Sequence, residues 1–586
     1  MRENDIIFFN LHRRYLNQAP KYGGFIGTFI LAAVMNANGF FAQGYAGTLQ
    51  DGIELIDEAC STHKVRAIGL YCDYENVTEN IFLSRYIKKK YNIPVMIGGP
   101  QATALEEEFL DASGCDVISR YEGEITVLDL LNYYVDGVGD LSDIKGIMYK
   151  KDGRVVLQPE QDLIENLDAL PFIDDDCYLE GRQPVHQLSI MTGRGCPFHC
   201  AFCHEGHHTK QVRFRSVDNV LQEIELFLEK ETTVENPYIL FTDDTFTLLP
   251  ERVKAICDGL KKLQKKRPFR WFCEGHIHML STYPEMISYI AEAGAMRIQL
   301  GIEAGTQEVL DAYRKGSTLD EIRQVVKMCR DKGIEQIYSN IILGGAFYTE
   351  EVYKKNVEFA KELISLGEGT VEIGTVCYWP LPETSITNHP CEYGIKILDA
   401  QFITSVGDFP QTETSQLDRW DILKMAKDMQ NEINDYMTMM LQQNKIPKDR
   451  IFKWMNLIRN GDLYGYWCQC LNSNFNLYAY YDLLFSKEAV TSEEVADIWE
   501  AHPMRVISLV SNITYKNKKQ FIYGSCHLNE LEMEILIYAT GKLSLNEIVD
   551  KVKSVFPDIK DQMIKRCALD AMNKLEQQHL IVFSKY

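Results

Sequence analysis

The sequence is short of the features that would tie it to a membrane, a secretory route or a polyanion. No uninterrupted apolar run reaches the roughly 20 residues that span a bilayer. The opening "MRENDIIFFNLHRRYLNQ" lacks the basic, apolar, small-residue order of a signal peptide, so a cytoplasmic location without membrane attachment is expected. Basic charge is in deficit: 61 Lys and Arg stand against 83 Asp and Glu, a net charge of -22, which argues against nucleic acid as a partner. Sixteen cysteines are scattered through 586 residues, without the dense framework of a small disulfide-stapled domain. Internal repeats and long disordered tracts are lacking too. Apolar residues are plentiful at 46%, and the length allows three or four packed domains.

Short apolar runs alternate with helical periods from the start: "DIIFFNL", "GGFIGTFILAAVMNANG", "FFAQGYAG", "LQDGIELIDEACSTH", "RAIGLYC", "ENIFLSRYIKKKY" and "IPVMIGGP". This pattern predicts a Rossmann-like, doubly wound parallel sheet over residues 1–140. Ligands of such sheets bind beyond the carboxyl ends of the strands. Those ends carry "YCDYEN" (71–76) and "GGPQAT" (98–103), where Gly98 and Gly99 either admit a ligand to the backbone or simply make a tight turn. A hairpin pattern, "IKGIMYKKDGRVVLQP", and the acidic, Pro-containing "ENLDALPFIDDDCY" are placed in a linker, 141–186. Six strand-helix units over 187–400 predict a partial (β/α)6 barrel with its active residues at the carboxyl ends of the strands. A helical connector (401–502) and a small winged-helix-like α+β module (503–586) complete the predicted architecture. In that module "MRVISLVSN" and "KQFIYGSCHLN" read as strands, followed by three helices.

One short stretch concentrates chemistry. "GRGCPFHCAFCHEG" (193–206) places Cys196, Cys200 and Cys203 on a Gly-flanked loop directly after the first barrel strand. Three thiolates hold three irons of a 4Fe-4S cubane, whereas a cluster built only to carry electrons is normally closed by a fourth cysteine. The deficit leaves one iron with an open coordination position. Cys60, Cys115, Cys257 and Cys329 fall in amphipathic helical patterns and read as buried thiols, and Cys468 with Cys470 makes a poor zinc site. His204, His207 and His208 are read as surface imidazoles, and Arg213 and Arg215 as local structural residues.

The CxxxCxxC loop and its surroundings, over roughly 187–400, resemble the radical S-adenosylmethionine superfamily. That resemblance implies S-adenosylmethionine on the open iron and a 5'-deoxyadenosyl radical as reactive species. It places Phe202 near adenine, Asp243 and Asp244 of "FTDDTF" at the methionyl ammonium, Glu303 of "GIEAG" at the ribose, and Gly344 of "IILGG" in the adenine-contacting segment. The family's Gly-Gly-Glu type motif is here Asp-Asp. With "VMIGGPQAT", "YEGEITVLDLL" and "IENLDALPF" in order, the chain resembles the cobalamin-binding class of the superfamily, which implies cobalamin against Gly98, Gly99 and Tyr74. The Asp-x-His-x-x-Gly motif is not kept: "NLHRRY" retains His12 but carries Asn10 and Tyr15, so His12 is not expected to ligate cobalt. The last 84 or so residues resemble PqqD-like modules, which add a leader peptide as a strand to a sheet edge. Together the resemblances imply C-methylation of an unactivated carbon in a ribosomally made peptide, with an electron donor for the cluster. The alternatives are cyclisation, crosslinking or oxidation of the peptide without methyl transfer, methylation of a small natural-product precursor, and a non-enzymatic cobalamin or redox sensor. No residue is singled out as catalytic.

Overall fold

The computed structural model describes residues 4–11, 26–62, 65–179, 186–205, 209, 211–398, 409–459, 465–486, 489–517 and 519–584. His12, His207 and His208 lie outside these. The chain divides into two compact units, 1–366 with 373–429, and 367–372 with 430–586.

The first unit contains two α/β layers. Strands β1 (Asn4–Leu11), β2 (Ala42–Gly47), β3 (Val65–Tyr71), β4 (Val95–Gly98), β5 (Val117–Ser119), β6 (Ile147–Lys151) and β7 (Arg154–Leu157) form one sheet in the order β2-β1-β3-β4-β5-β6-β7. The pairs among β1 to β5 are parallel. The apolar run "IIFF" makes β1 a central strand whose alternate residues feed both faces: Ile7 and Phe9 one core, Ile6 and Phe8 the other. The intervening helices, α1 (Gly27–Ala37), α2 (Leu49–Ser61), α3 (Val77–Lys90), α4 (Pro100–Ser113) and α5 (Glu124–Tyr134), supply the opposing apolar stripes. The hairpin assigned to the linker belongs to this sheet instead. β6 pairs antiparallel with β5 through Val117↔Tyr149 and covers the edge that the three-residue β5 would leave open.

The second layer runs β8 (Gln187–Ile190), a short hairpin β9 (Gly193–Arg194) with β10 (Arg213–Phe214), then β11 (Tyr238–Phe241), β12 (Arg270–Gly275), β13 (Ala295–Leu300), β14 (Gln336–Leu343) and β15 (Val371–Cys377). The sheet order β15-β14-β13-β12-β11-β8 is sequential, the arrangement of an open six-stranded barrel. Its strand pairs from β8 to β14 are parallel. Amphipathic helices cross between the strands, and Leu319–Asp331 is fixed at its start by a capping box between Thr318 and Glu321.

The second unit is helical at first, then carries two three-stranded antiparallel sheets. Its terminal part begins before residue 503, because Ala489–Val490 pairs with Ile581–Ser584. "KQFIYGSCHLN" is two strands, Gln520–Tyr523 and Cys526–Asn529, since Gly524 turns the chain at φ +57. The three expected helices are Glu530–Tyr538, Leu545–Val555 and Asp561–Gln577, closing on Leu536, Ile548 and Ala568. Among the described residues no helix is long and apolar enough to cross a membrane.

Candidate functional site

The carboxyl ends of both sheets in the first unit border one cavity of about 440 Å³. Phe8 and Asn10 of β1, Gly69, Leu70 and Tyr71 of β3, Met96, Ile97 and Gly98 of β4 and Ser119 of β5 form one wall. Met191, Gly193, Arg194, Gly195, His204, Thr242 and Asp244 form the other. Gly98 and Gly99 therefore face the cavity, and Gly99 does so at φ +106 and ψ 169, backbone open essentially to glycine alone. A Cβ on Gly99 would stand 2.4 Å from the Cys72 carbonyl oxygen.

Tyr74 is placed differently from the sequence expectation. Asn76 donates to the Leu11 and Tyr71 carbonyls and accepts from the Asp73 amide at 3.0 Å, while Asp73 accepts from the Glu75 amide at 2.7 Å. This turn folds "DYEN" onto the start of α3, so Tyr71 rather than Tyr74 lines the cavity.

The cysteine loop is held from several sides. Gly195 sits at φ +90, where a Cβ would come within 2.6 Å of Thr209 Cγ2, and the Cys196 amide donates to Thr209 Oγ1 at 3.1 Å. The Ala201 amide donates to the Tyr313 carbonyl at 2.8 Å, and the Ile386 amide donates back to the Ala201 carbonyl at 3.1 Å. Phe198 stacks on His276 at 3.7 Å, and Phe202 meets Tyr313 edge-on at 5.0 Å. The three thiols are free of disulfides, and burial holds those of Cys196 and Cys200 above the ordinary cysteine range. Metal binding must then drive deprotonation. Among the described residues no three His, Cys, Asp or Glu side chains converge to hold a single ion. A cubane does not need that, because each cysteine serves a different iron.

The two adjacent aspartates after β11 do unlike work. Asp243 accepts from the Thr192 amide at 2.5 Å, the Gly193 amide at 3.1 Å and the Thr192 hydroxyl. Burial nonetheless pushes its carboxyl up to about 6. Asp243 thus fastens the start of the cysteine loop. Asp244 lines the cavity, and its carboxylate accepts from the Gly195 amide at 3.2 Å.

Glu303 follows β13 at φ +63, a conformation uncommon for a non-glycine residue. Its backbone is held there by the Asn340 carbonyl and the Ile342 amide, and its carboxylate pairs with Lys315 Nζ at 3.0 Å. Gly301 leaves room for this pair, since a Cβ would meet Lys315 Nζ at 2.3 Å. Burial lowers the Lys315 ammonium, but Glu303, together with Cys200 and Cys203 once they are thiolates, more than offsets it and holds the group charged. Phe202 lies 5.9 Å from the same ammonium. Gly344 takes φ +73 where a Cβ would strike Ile422. Glu274, the penultimate residue of β12, was not singled out from sequence. Burial and the like charges of Asp244 and Glu303 push its carboxyl up to about 7. The rule that strand ends carry chemistry would have found Glu274; Lys315, in a loop, has no such signal.

These features define an α/β unit whose two layers border one cavity. Residues 190–360 match the Radical SAM superfamily and residues 15–131 match the B12 binding domain. The chain thus carries both domains, and with them the complement of a 4Fe-4S cluster, S-adenosylmethionine and cobalamin. An uncharacterized methyltransferase of Pyrococcus horikoshii is 30% identical over 295 residues, 49% of this chain and 60% of that protein. The cobalamin-dependent radical SAM methyltransferase TokK of Streptomyces tokunonensis is 23% identical over 309 residues, 50% of this chain and 44% of its own. The cobalamin-dependent S-adenosylmethionine radical enzyme OxsB, solved with aqua-cobalamin bound, shares the fold at TM-score 0.58 and 17% identity, covering 99% of this chain and 82% of that one. The chain spans between 40% and 60% of the length of the first curated relatives it matches.

Proposed function

We propose that the protein is a cobalamin-dependent radical S-adenosylmethionine C-methyltransferase. The observation that carries this reading is the single cavity reached by Gly98 and Gly99 from one side and by Gly195 and Asp244 from the other. When bound, the cluster with S-adenosylmethionine supplies a deoxyadenosyl radical and cobalamin carries a methyl group. Cys196, Cys200 and Cys203 would hold the cluster, Asp244 and Glu303 would orient the amino and ribose groups of S-adenosylmethionine, and Phe202 would pack against its adenine. Lys315 balances the negative charge that the thiolates bring to a buried site. The apolar side chains of Leu70, Ile97 and Val127 line the cavity and would help keep water out when the cofactors are bound.

For the substrate, we favour an unactivated carbon of a ribosomally made peptide, held by the carboxyl-terminal module acting as a PqqD-like, winged-helix-like clamp. Its two small three-stranded antiparallel sheets support that reading, since a peptide can add to a sheet edge through main-chain hydrogen bonds. A small-molecule substrate is the second reading. It is favoured by relatives such as the cytidylyl-2-hydroxyethylphosphonate methyltransferase of Streptomyces wedmorensis, 25% identical over 283 residues. An electron donor for the cluster is part of either proposal.

The test is anaerobic reconstitution with iron, sulfide and cobalamin, then mass spectrometry of a peptide encoded beside this protein, incubated with reductant and methyl-deuterated S-adenosylmethionine. A product carrying one deuterated methyl group supports peptide C-methylation. Loss of hydrogen without label means radical cyclisation or oxidation, and deoxyadenosine formation with an untouched peptide moves the reading to a small substrate.

A further inference from the structure

We infer that Glu122 and Glu124, carboxylates of the cobalamin-binding domain, are positioning residues for the cysteine loop of the radical SAM domain. The starting observation is an arrangement that should be unstable by itself. Arg194 and Arg213 lie directly opposite one another in the β9–β10 pair, two residues before Cys196 and ten after Cys203 respectively. Like charges facing across an antiparallel pair repel. Here both guanidinium groups are also largely buried, at 16% and 7% side-chain exposure.

The compensation comes from the other domain. Glu124, in the first turn of α5, pairs with Arg194 Nη2, and Glu122 reaches Arg194 Nη1 at 3.4 Å. Glu122 also takes a two-pronged grip on Arg213, with Oε2 accepting from Nη1 at 3.1 Å and Oε1 from Nη2. Arg213 Nη1 donates further to the Ile164 carbonyl at 2.6 Å, and the Ile164 amide donates to Glu122 at 3.2 Å. Two cations and two anions therefore close a neutral lattice. Removing either carboxylate leaves two buried guanidinium groups with one anion between them, which such a site resists by opening.

The same four side chains border the cavity. A ligand that settles against the "YEGE" loop from the first-domain side thus touches the group that sets where the cysteine loop lies. Occupancy on one side and loop geometry on the other must then be linked, and the linkage is reciprocal. This inference rests on the two domain assignments; it does not rest on methyl transfer or on the nature of the substrate.

The experiment compares the full chain with its E122Q/E124Q variant by hydrogen exchange, first without cofactors and then with added hydroxocobalamin. In the cofactor-free variant, amides of residues 193–203 are expected to exchange about tenfold faster or more, a loss of about 1.4 kcal/mol of local protection. The β1 amides serve as the reference and should not change. In the wild type, cobalamin should slow exchange at 193–203, and in the variant that response should vanish. Equal exchange at 193–203 in the two cofactor-free proteins overturns the inference, whatever happens on adding cobalamin. If the double variant does not fold, R213K answers the same question, because lysine keeps the charge but cannot reproduce the two-pronged contact. With the cluster installed, an uncompensated guanidinium should make its reduction potential more positive, a shift that loss of packing alone would not impose. A wild type that failed to assemble a cluster would sink the functional reading and leave the exchange comparison standing.

Discussion

Gly98 and Gly99 are neighbours in sequence, and the structure assigns them very different tolerance to the same substitution. Gly99→Ala meets two costs. At φ +106 and ψ 169 the backbone is in a region that costs a non-glycine residue about 1–3 kcal/mol. The new Cβ would also lie 2.4, 3.0 and 3.1 Å from the oxygen, nitrogen and carbon of Cys72, all of them backbone. That peptide has little freedom to retreat, since the Cys72 amide donates to the Gly98 carbonyl at 2.8 Å and the Cys72 carbonyl accepts from the Gln101 amide at 3.2 Å. Overpacking against fixed atoms adds about 1–3 kcal/mol, for a total of roughly 2–6 kcal/mol. Relief comes only by shifting the β4–α4 turn that walls the cavity, so cobalamin affinity should fall at least about tenfold. Gly98→Ala is the control: its Cβ would sit 3.3 Å from the Ser119 carbonyl oxygen with no unfavourable φ, and affinity should change less than about threefold. Titration of the apoprotein with hydroxocobalamin, followed by visible absorbance, reads both. A G99A protein that loads its cluster normally and binds cobalamin as the wild type does would refute the reasoning.

Three other predictions concern the second layer. Replacing Cys196, Cys200 or Cys203 singly by Ala should abolish cluster assembly, seen as loss of the iron–sulfur absorbance after reconstitution, while cobalamin still binds. D243N should lower stability in urea by about 1.5–3 kcal/mol, since it weakens charge-assisted bonds to residues 192 and 193; D244N should unfold like wild type and instead weaken S-adenosylmethionine binding, measured by calorimetry. Glu274 binds its proton more tightly folded than unfolded, so the folded state holds more protons between the ordinary glutamate range and about pH 7, and stability must fall as pH rises through that window. Cofactor-free protein should therefore be about 2 kcal/mol less stable at about pH 7.5 than at about pH 5.5 on account of this group, and E274Q should remove that difference in urea unfolding.

Much of the architecture was legible because parallel strands buried on both faces advertise themselves as apolar runs. β1, β3 and β4 are such runs, and the acids after β3 and the glycines after β4 marked the ligand side. The hairpin β6–β7 was recognised as a hairpin, yet assigning it to a linker missed its partner. A local Asp-Gly turn says nothing about which sheet edge is vacant. The cysteine loop was readable as a motif, but its supports were not: Asp243 and the Glu122–Glu124 pair act across 50 residues or more of chain, and such pairings leave no periodic trace. Tyr74 failed as a cavity residue for a related reason. Asn76 caps a turn with its side chain, and one hydrogen-bonding residue redirected the loop that composition alone marked as ligand-facing.

The order in which the first sheet is assembled bears on how the chain matures. All seven of its strands come from residues 4–157. On a ribosome, where domains tend to fold as they emerge, this sheet can close its edge and bury its core before the residues of β11 to β15 have been made. The cysteine loop would then emerge beside a wall already built, with Glu122 and Glu124 waiting for Arg194 and Arg213. Synthesis itself would thereby set the sequence of assembly, with the cobalamin side serving as the template on which the oxygen-sensitive side is completed.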